Sequence, residues 1–164
     1  MNKVLKITLF LLIILAGLSI IEFSFFKKPL KTASICFEDA STDQTKGCFQ
    51  IELAENIFQQ EKGLMYRTSL DKDKGMLFIF DKEVDYPFWM KNTLIPLDMI
   101  WIDQNSKIVF IKENAEPCLP AEAGGSGDCP AIDPGKNAKY VLEINGGLAK
   151  EINLKVGDYV DISF

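Results

Sequence analysis

From Cys48 to Leu53 apolar and polar side chains alternate, with Phe49, Ile51 and Leu53 on one side and Gln50 and Glu52 on the other. That period of two predicts a strand with one buried face. Asn56 and Gln59 have the spacing of a capping box, and Gly63 supplies a stop, so a short helix is predicted between them. Met76–Phe80 is a continuous apolar run, too short for a helix and of the right length for a buried strand. Further strands are predicted at Phe88–Thr93, at Asp98–Ile102 after Pro96, and at Lys107–Glu113 beyond a hairpin turn at Asp103–Ser106. Tyr140–Asn145 and Asp158–Phe164 complete the set, with one or two helical turns at Leu148–Ile152. Seven short strands and two short helices without an internal repeat predict a mainly β (α+β) domain over residues 48–164, a small barrel or sandwich.

The N-terminus follows a different pattern. Ile7–Ile21 is interrupted only by Thr8, Gly17 and Ser19, and Phe23, Phe25 and Phe26 extend the apolar run to about twenty residues, one bilayer's thickness. Lys3 and Lys6 precede it, and Lys27, Lys28 and Pro29 follow. Residues 1–26 therefore read as an N-terminal transmembrane anchor or a signal peptide, making a membrane the first expected partner. Residues 27–47, rich in Lys, Ser, Thr and acids, read as a polar linker.

Four cysteines, Cys36, Cys48, Cys118 and Cys129, fall into two sequence-local pairs. An even count behind an export segment predicts disulfides and a domain on the extracytoplasmic side, or secreted if the segment is cleaved. Three pairings are possible; joining Cys36 to Cys48 and Cys118 to Cys129 closes the two shortest loops. Spacings of twelve and eleven do not resemble zinc knuckles, histidine is absent, and no metal or other cofactor is implied. The methionines Met65, Met76, Met90 and Met99 offer thioethers to Cu(I), but methionine at apolar positions is the usual filler of a core.

Charge narrows the partners further. Beyond Lys31 there are thirteen lysines and arginines against twenty-two acids, a formal charge of −9. Nucleic acid requires a basic face and is excluded as a partner. The stretch Asn114–Lys136 has no periodicity and holds three glycines between Cys118 and Cys129. A loop of that length, closed by a disulfide, is expected to serve a site.

Four motifs are specific enough to carry a resemblance: Gly63-Leu64-Met65-Tyr66-Arg67, Gly75–Phe80, Phe88-Trp89-Met90-Lys91-Asn92-Thr93 with Pro96-Leu97-Asp98, and Tyr140-Val141-Leu142-Glu143 with Asn145 and Gly147. In order and spacing, from about Cys48 to Phe164, the chain resembles the family called domain of unknown function 192. The resemblance implies a compact, mainly β, barrel-like domain, commonly exported, without an established activity. It also implies that Arg67, Lys91, Asn92, Thr93 and Asp98, beside Trp89, are the signature polar positions, and that the segment from Pro117-Cys118 to Cys129 is the family's loop. Cys36 and Cys48 have no counterpart in it.

The candidate ligand-binding residues are thus Arg67, Trp89, Lys91, Asn92, Thr93, Asp98 and Glu143. One aromatic face with a few fixed donors and acceptors suits a small polar ligand; an envelope protein is the alternative partner. The competing reading is structural, with Asn92 and Asp98 shaping turns and Asp98 pairing with Lys91 or Arg67. Without histidine, Ser-His and Cys-His nucleophile pairs are excluded. An enzyme would have to be a hydrolase or lyase using carboxylates such as Asp85, Asp98 and Glu143, with Lys91 or Arg67 stabilising charge.

Overall fold

In a computed structural model, described here for residues 29–164 apart from 120, 122, 123 and 126, one seven-stranded sheet carries the whole domain. The strands are β1 (Thr32–Glu38), β2 (Thr45–Ala54), β3 (Lys74–Asp85), β4 (Leu97–Ile102), β5 (Ile108–Ala115), β6 (Asn137–Asn145) and β7 (Tyr159–Ser163). Helix α1 (Ile57–Lys62) follows β2, and α2 (Leu148–Glu151) follows β6. The N-terminal segment at 1–26 lies outside the described residues, and among those described no helix is long and apolar enough to cross a membrane.

The sheet order is β5-β4-β6-β3-β2-β1-β7. Every strand pairing is antiparallel except β2 with β3. A parallel pair needs a crossover connection, and residues 55–73 with α1 provide it. The expected two-sheet sandwich is therefore not formed, and the sheet is not closed into a barrel either. Among the described residues its edge strands meet at one corner, where Lys107 bridges Tyr159 and backbone hydrogen bonds join Ser106 and Ile108 to Gly157, Asp158 and Val160. All seven strands still contribute to one inner core, including Ile35 and Phe37, Phe49 and Ile51, Leu77, Ile100, Ile108, Leu142, and Val160.

Two elements differ from the sequence reading. Residues 32–38, expected within a linker, form β1, because Ala33, Ile35 and Phe37 alternate inward while the strand pairs with β2 on one side and β7 on the other. Lys31–Phe164 accordingly makes one compact unit. Phe88–Thr93, expected as a strand, makes only isolated bridges. Asn92 takes a φ of 58°, which an Asn tolerates better than most residues, and Thr93 N–H turns back to Met90 O at 3.0 Å. The turn breaks the period of two, so Met90 and Thr93 are both buried although three positions apart.

The sheet's second face is covered as well. Phe88 packs edge-to-face on Phe78 at 4.9 Å and on Trp101 at 5.6 Å, and the Trp101 indole N–H donates to Tyr86 O at 2.9 Å. These contacts lay segment 86–96 over β3 and β4, and Leu64, Met90 and Ile95 are buried in that cover. Coverage on both sides explains why all six residues of β4 are buried.

Candidate functional site

Between α1, segment 86–93 and the outer face of β3 lies a cavity of about 850 Å³. Ile57 and Gln60 of α1, Leu64 and Met65 after it, Phe78 and Phe80 of β3, Phe88, and Ala131 form its walls, which are mainly apolar and aromatic. Specific bonds fix them. The Asn56–Gln59 capping box starts α1 as the spacing predicts, Gly63 ends it with a φ of 46°, and Gln60 Nε2 donates to Ile79 O at 2.7 Å.

Glu143 enters this cavity from β6. Strand alternation sends Leu142 and Ile144 to the inner core and Glu143 to the opposite face, where it lies directly opposite Met76 on one side and Met99 on the other. It is only 5% exposed, and no described residue donates a hydrogen bond to its carboxyl. Among the described residues every fully sealed side-chain N or O atom has a partner. The Glu143 oxygens are therefore not sealed, and the cavity they line is their outlet. Burial pushes the Glu143 pKa up to about 8, with the Arg67 guanidinium pulling in the other direction. Thr93, also 5% exposed, lines the same cavity. Trp89 is 52% exposed, and Lys91 places its ammonium 5.5 Å from the centre of the Trp89 ring. Both also line the cavity.

Of the seven candidate ligand residues, the structure brings four together around this space: Trp89, Lys91, Thr93 and Glu143. The other three are engaged elsewhere. Arg67 holds Glu52 with two parallel bonds of 2.6 and 2.7 Å, which keeps the Glu52 carboxyl below its usual range. Asn92 works through its backbone, its N–H donating to Cys118 O and its carbonyl accepting from Tyr66 N–H, each at 2.9 Å. Among the described residues its side chain reaches only the Met65 sulfur, at 3.8 Å. Asp98 is fully buried, and its carboxylate accepts from the backbone N–H groups of Asn114 (2.7 Å), Gly147 (2.9 Å) and Ala149 (2.7 Å). It ties β5 and α2 to β4 and pairs with neither Lys91 nor Arg67. Among the three carboxylates weighed for catalysis, only Glu143 lines the cavity; Asp85 sits beside Asp133.

Both disulfides are the sequence-local ones, Cys36–Cys48 and Cys118–Cys129, as expected for an oxidising environment outside the cytoplasm. Cys36 and Cys48 are register partners across β1 and β2, so the bond staples a pair the sheet already aligns. Cys118 forms bridges with Lys91 and with Thr93, and the chain beyond Cys129 supplies Ala131 to the wall. Met76, Met90 and Met99 are buried in the packing. The sequence pattern does not reveal the aromatic walls Phe78, Phe80 and Phe88, nor Glu52 as the partner of Arg67. The one available signal is that Glu52 lies on the polar side of the β2 alternation.

Fold and site together define a disulfide-bonded, open-sheet domain with a lateral cavity over a buried carboxyl. The family model described as uncharacterized ACR, domain of unknown function 192, matches residues 39–162, and the chain belongs to that family. It is similar to a crystal structure from Sinorhizobium meliloti 1021, described as a candidate transcription regulator, with 33% identity, a TM-score of 0.72, and coverage of 83% of this chain and 97% of that one. A crystal structure of a protein of unknown function from Novosphingobium aromaticivorans DSM 12444 shares 34% identity at a TM-score of 0.70, covering 80% of this chain and 86% of that one. No curated protein matches the chain. The family and the Novosphingobium relative carry no assigned activity.

Proposed function

We propose that this domain binds a small polar molecule in the cavity over Glu143, on the outer side of a membrane to which residues 1–26 attach it. The observation that carries the binding reading is the Glu143 carboxyl itself. A nearly buried polar group without a protein partner is costly, on the order of 1–3 kcal/mol, and such a group facing a cavity is compensated when a ligand supplies the missing hydrogen bonds. Thr93 adds a second polar position, and Trp89 with Lys91 forms the rim.

The location rests on the apolar, lysine-flanked N-terminus and the two disulfides. The Sinorhizobium relative is described as a transcription regulator, but direct contact with DNA does not suit a region carrying nine net negative charges. Catalysis by two opposed carboxylates is not adopted, since Asp98 is committed to backbone amides.

The test is a thermal-shift screen of the oxidised protein against saccharides, nucleosides, small amides and small acids, repeated on Trp89→Ala and Glu143→Ala. A ligand at a hundred times its dissociation constant adds about 2.7 kcal/mol to stability. A hit that both variants lose supports the site. Silence across the panel would move the proposal to an envelope protein docking on the exposed Ile57, Phe58 and Trp89.

A further inference from the structure

The chemistry of the cavity narrows the class of ligand, an inference that rests on reading the cavity as a binding site. Buried between the Met76 and Met99 positions of the neighbouring strands, Glu143 has no cation bonded to it among the described residues. The nearby guanidinium of Arg67 already spends both its parallel N–H groups on Glu52. Burial without a bonded cation favours the protonated form of such a carboxyl, the direction in which the Glu143 pKa is pushed. The protonated carboxyl presents an O–H donor beside a C=O acceptor, whereas an ionised carboxylate would present acceptors alone.

The remaining charges do not select an ion. Lys62, Lys82 and Lys91 along the lining are matched in number by Glu55, Glu61 and Asp81. The walls favour a ring compound, because Phe78, Phe80 and Phe88 line the cavity and give it an aromatic side. We propose that the cavity takes an uncharged ring compound whose inner edge carries an adjacent hydrogen-bond donor and acceptor, an amide or lactam edge, paired with the carboxyl of Glu143 and flanked by the Thr93 hydroxyl.

Three fragments of one shape separate the alternatives: benzamide, benzoate and benzylamine, which are neutral, anionic and cationic at pH 7. Each is titrated by NMR into the full, oxidised chain, reading the Trp89 indole N–H and the Thr93 amide. Benzamide is expected to bind best. In Glu143→Leu its affinity should fall about tenfold, the equivalent of one lost hydrogen-bonded edge. In Glu143→Gln it should stay within about threefold, since a primary amide offers the same donor and acceptor side by side. A Gln variant as weak as the Leu variant overturns the proposal, and so does tighter binding of benzylamine or benzoate. In those cases the cavity remains a ligand site of another class. If none of the three moves either reporter at millimolar concentration, the ligand-site reading fails with it.

Discussion

Glu52 and Glu143 lie in one cross-strand row, each directly opposite Met76 of β3, yet among the described residues only Glu52 has a partner. Arg67 clamps Glu52 and lowers its pKa, while burial raises that of Glu143 to about 8. Two carboxyls flanking one strand are thereby pushed in opposite directions, Glu52 by its ion pair and Glu143 by burial.

The pH dependence follows from that asymmetry. A carboxyl whose pKa is higher in the folded state keeps its proton there while the unfolded chain releases it. The stability associated with Glu143 is therefore complete below its ordinary pKa of 4.5 and is lost as the pH rises to about 8. The slope is about 1.4 kcal/mol per pH unit. Asp39, lowered to about 2 by Lys46, and Glu52, lowered by Arg67, act with the opposite sign, so the informative quantity is a difference. Urea unfolding of the wild type and Glu143→Gln is expected to show the variant gaining about 2–3 kcal/mol on the wild type between pH 5 and pH 7. Parallel curves would assign Glu143 an ordinary pKa.

Replacing Arg67 by Met removes the cation that acts on Glu143 and leaves Glu52 alone. Both partners of the Arg67–Glu52 pair are about one-third exposed (32% and 30%) and solvent screens them, so the cost should be only about 1 kcal/mol. The Glu143 midpoint should move further up, because Arg67 opposes its shift. A midpoint that moves down would show that the guanidinium does not act on Glu143.

The bond between Cys118 and Cys129 reaches the site through the backbone, since Cys118 O accepts the Asn92 N–H. Serine at both positions is expected to lower stability by about 2–4 kcal/mol. Hydrogen exchange at Asn92 should also quicken more than exchange within β4. A thiol assay on the unreduced native protein should find no free thiol, as both pairs are bonded.

Asp98 is expected to behave as a structural residue. An asparagine in its place would offer one oxygen to three N–H donors and aim its own NH₂ group at one of them, so Asp98→Asn should cost about 3 kcal/mol. Binding at the cavity, measured below the variant's melting temperature, should be unchanged.

The fold is legible in the sequence where periodicity and burial agree. The pattern predicts seven strands and the described residues form seven, but the membership differs by one. β1 is hard to read because its inward residues, Ala33, Ile35 and Phe37, are few and sit among Lys, Ser and acids. Phe88–Thr93 reads as a strand because nothing local announces that Asn92 turns through a positive φ. The parallel pairing of β2 with β3 depends on a crossover whose path is set by tertiary packing. Glu143 is legible as the polar member of a half-buried strand. What makes it unusual, the cover of segment 86–96 over that face, comes from residues distant in the chain.

NMR of protein labelled at the glutamate side-chain carboxyl carbon reports the state of the Glu143 carboxyl most directly. The expected spectrum contains one resonance, missing in Glu143→Gln, that titrates near the raised value of about 8 and shifts when benzamide is added. A Glu143 resonance that titrates with the other glutamates near the ordinary 4.5 and ignores benzamide would contradict a buried, ligand-facing Glu143.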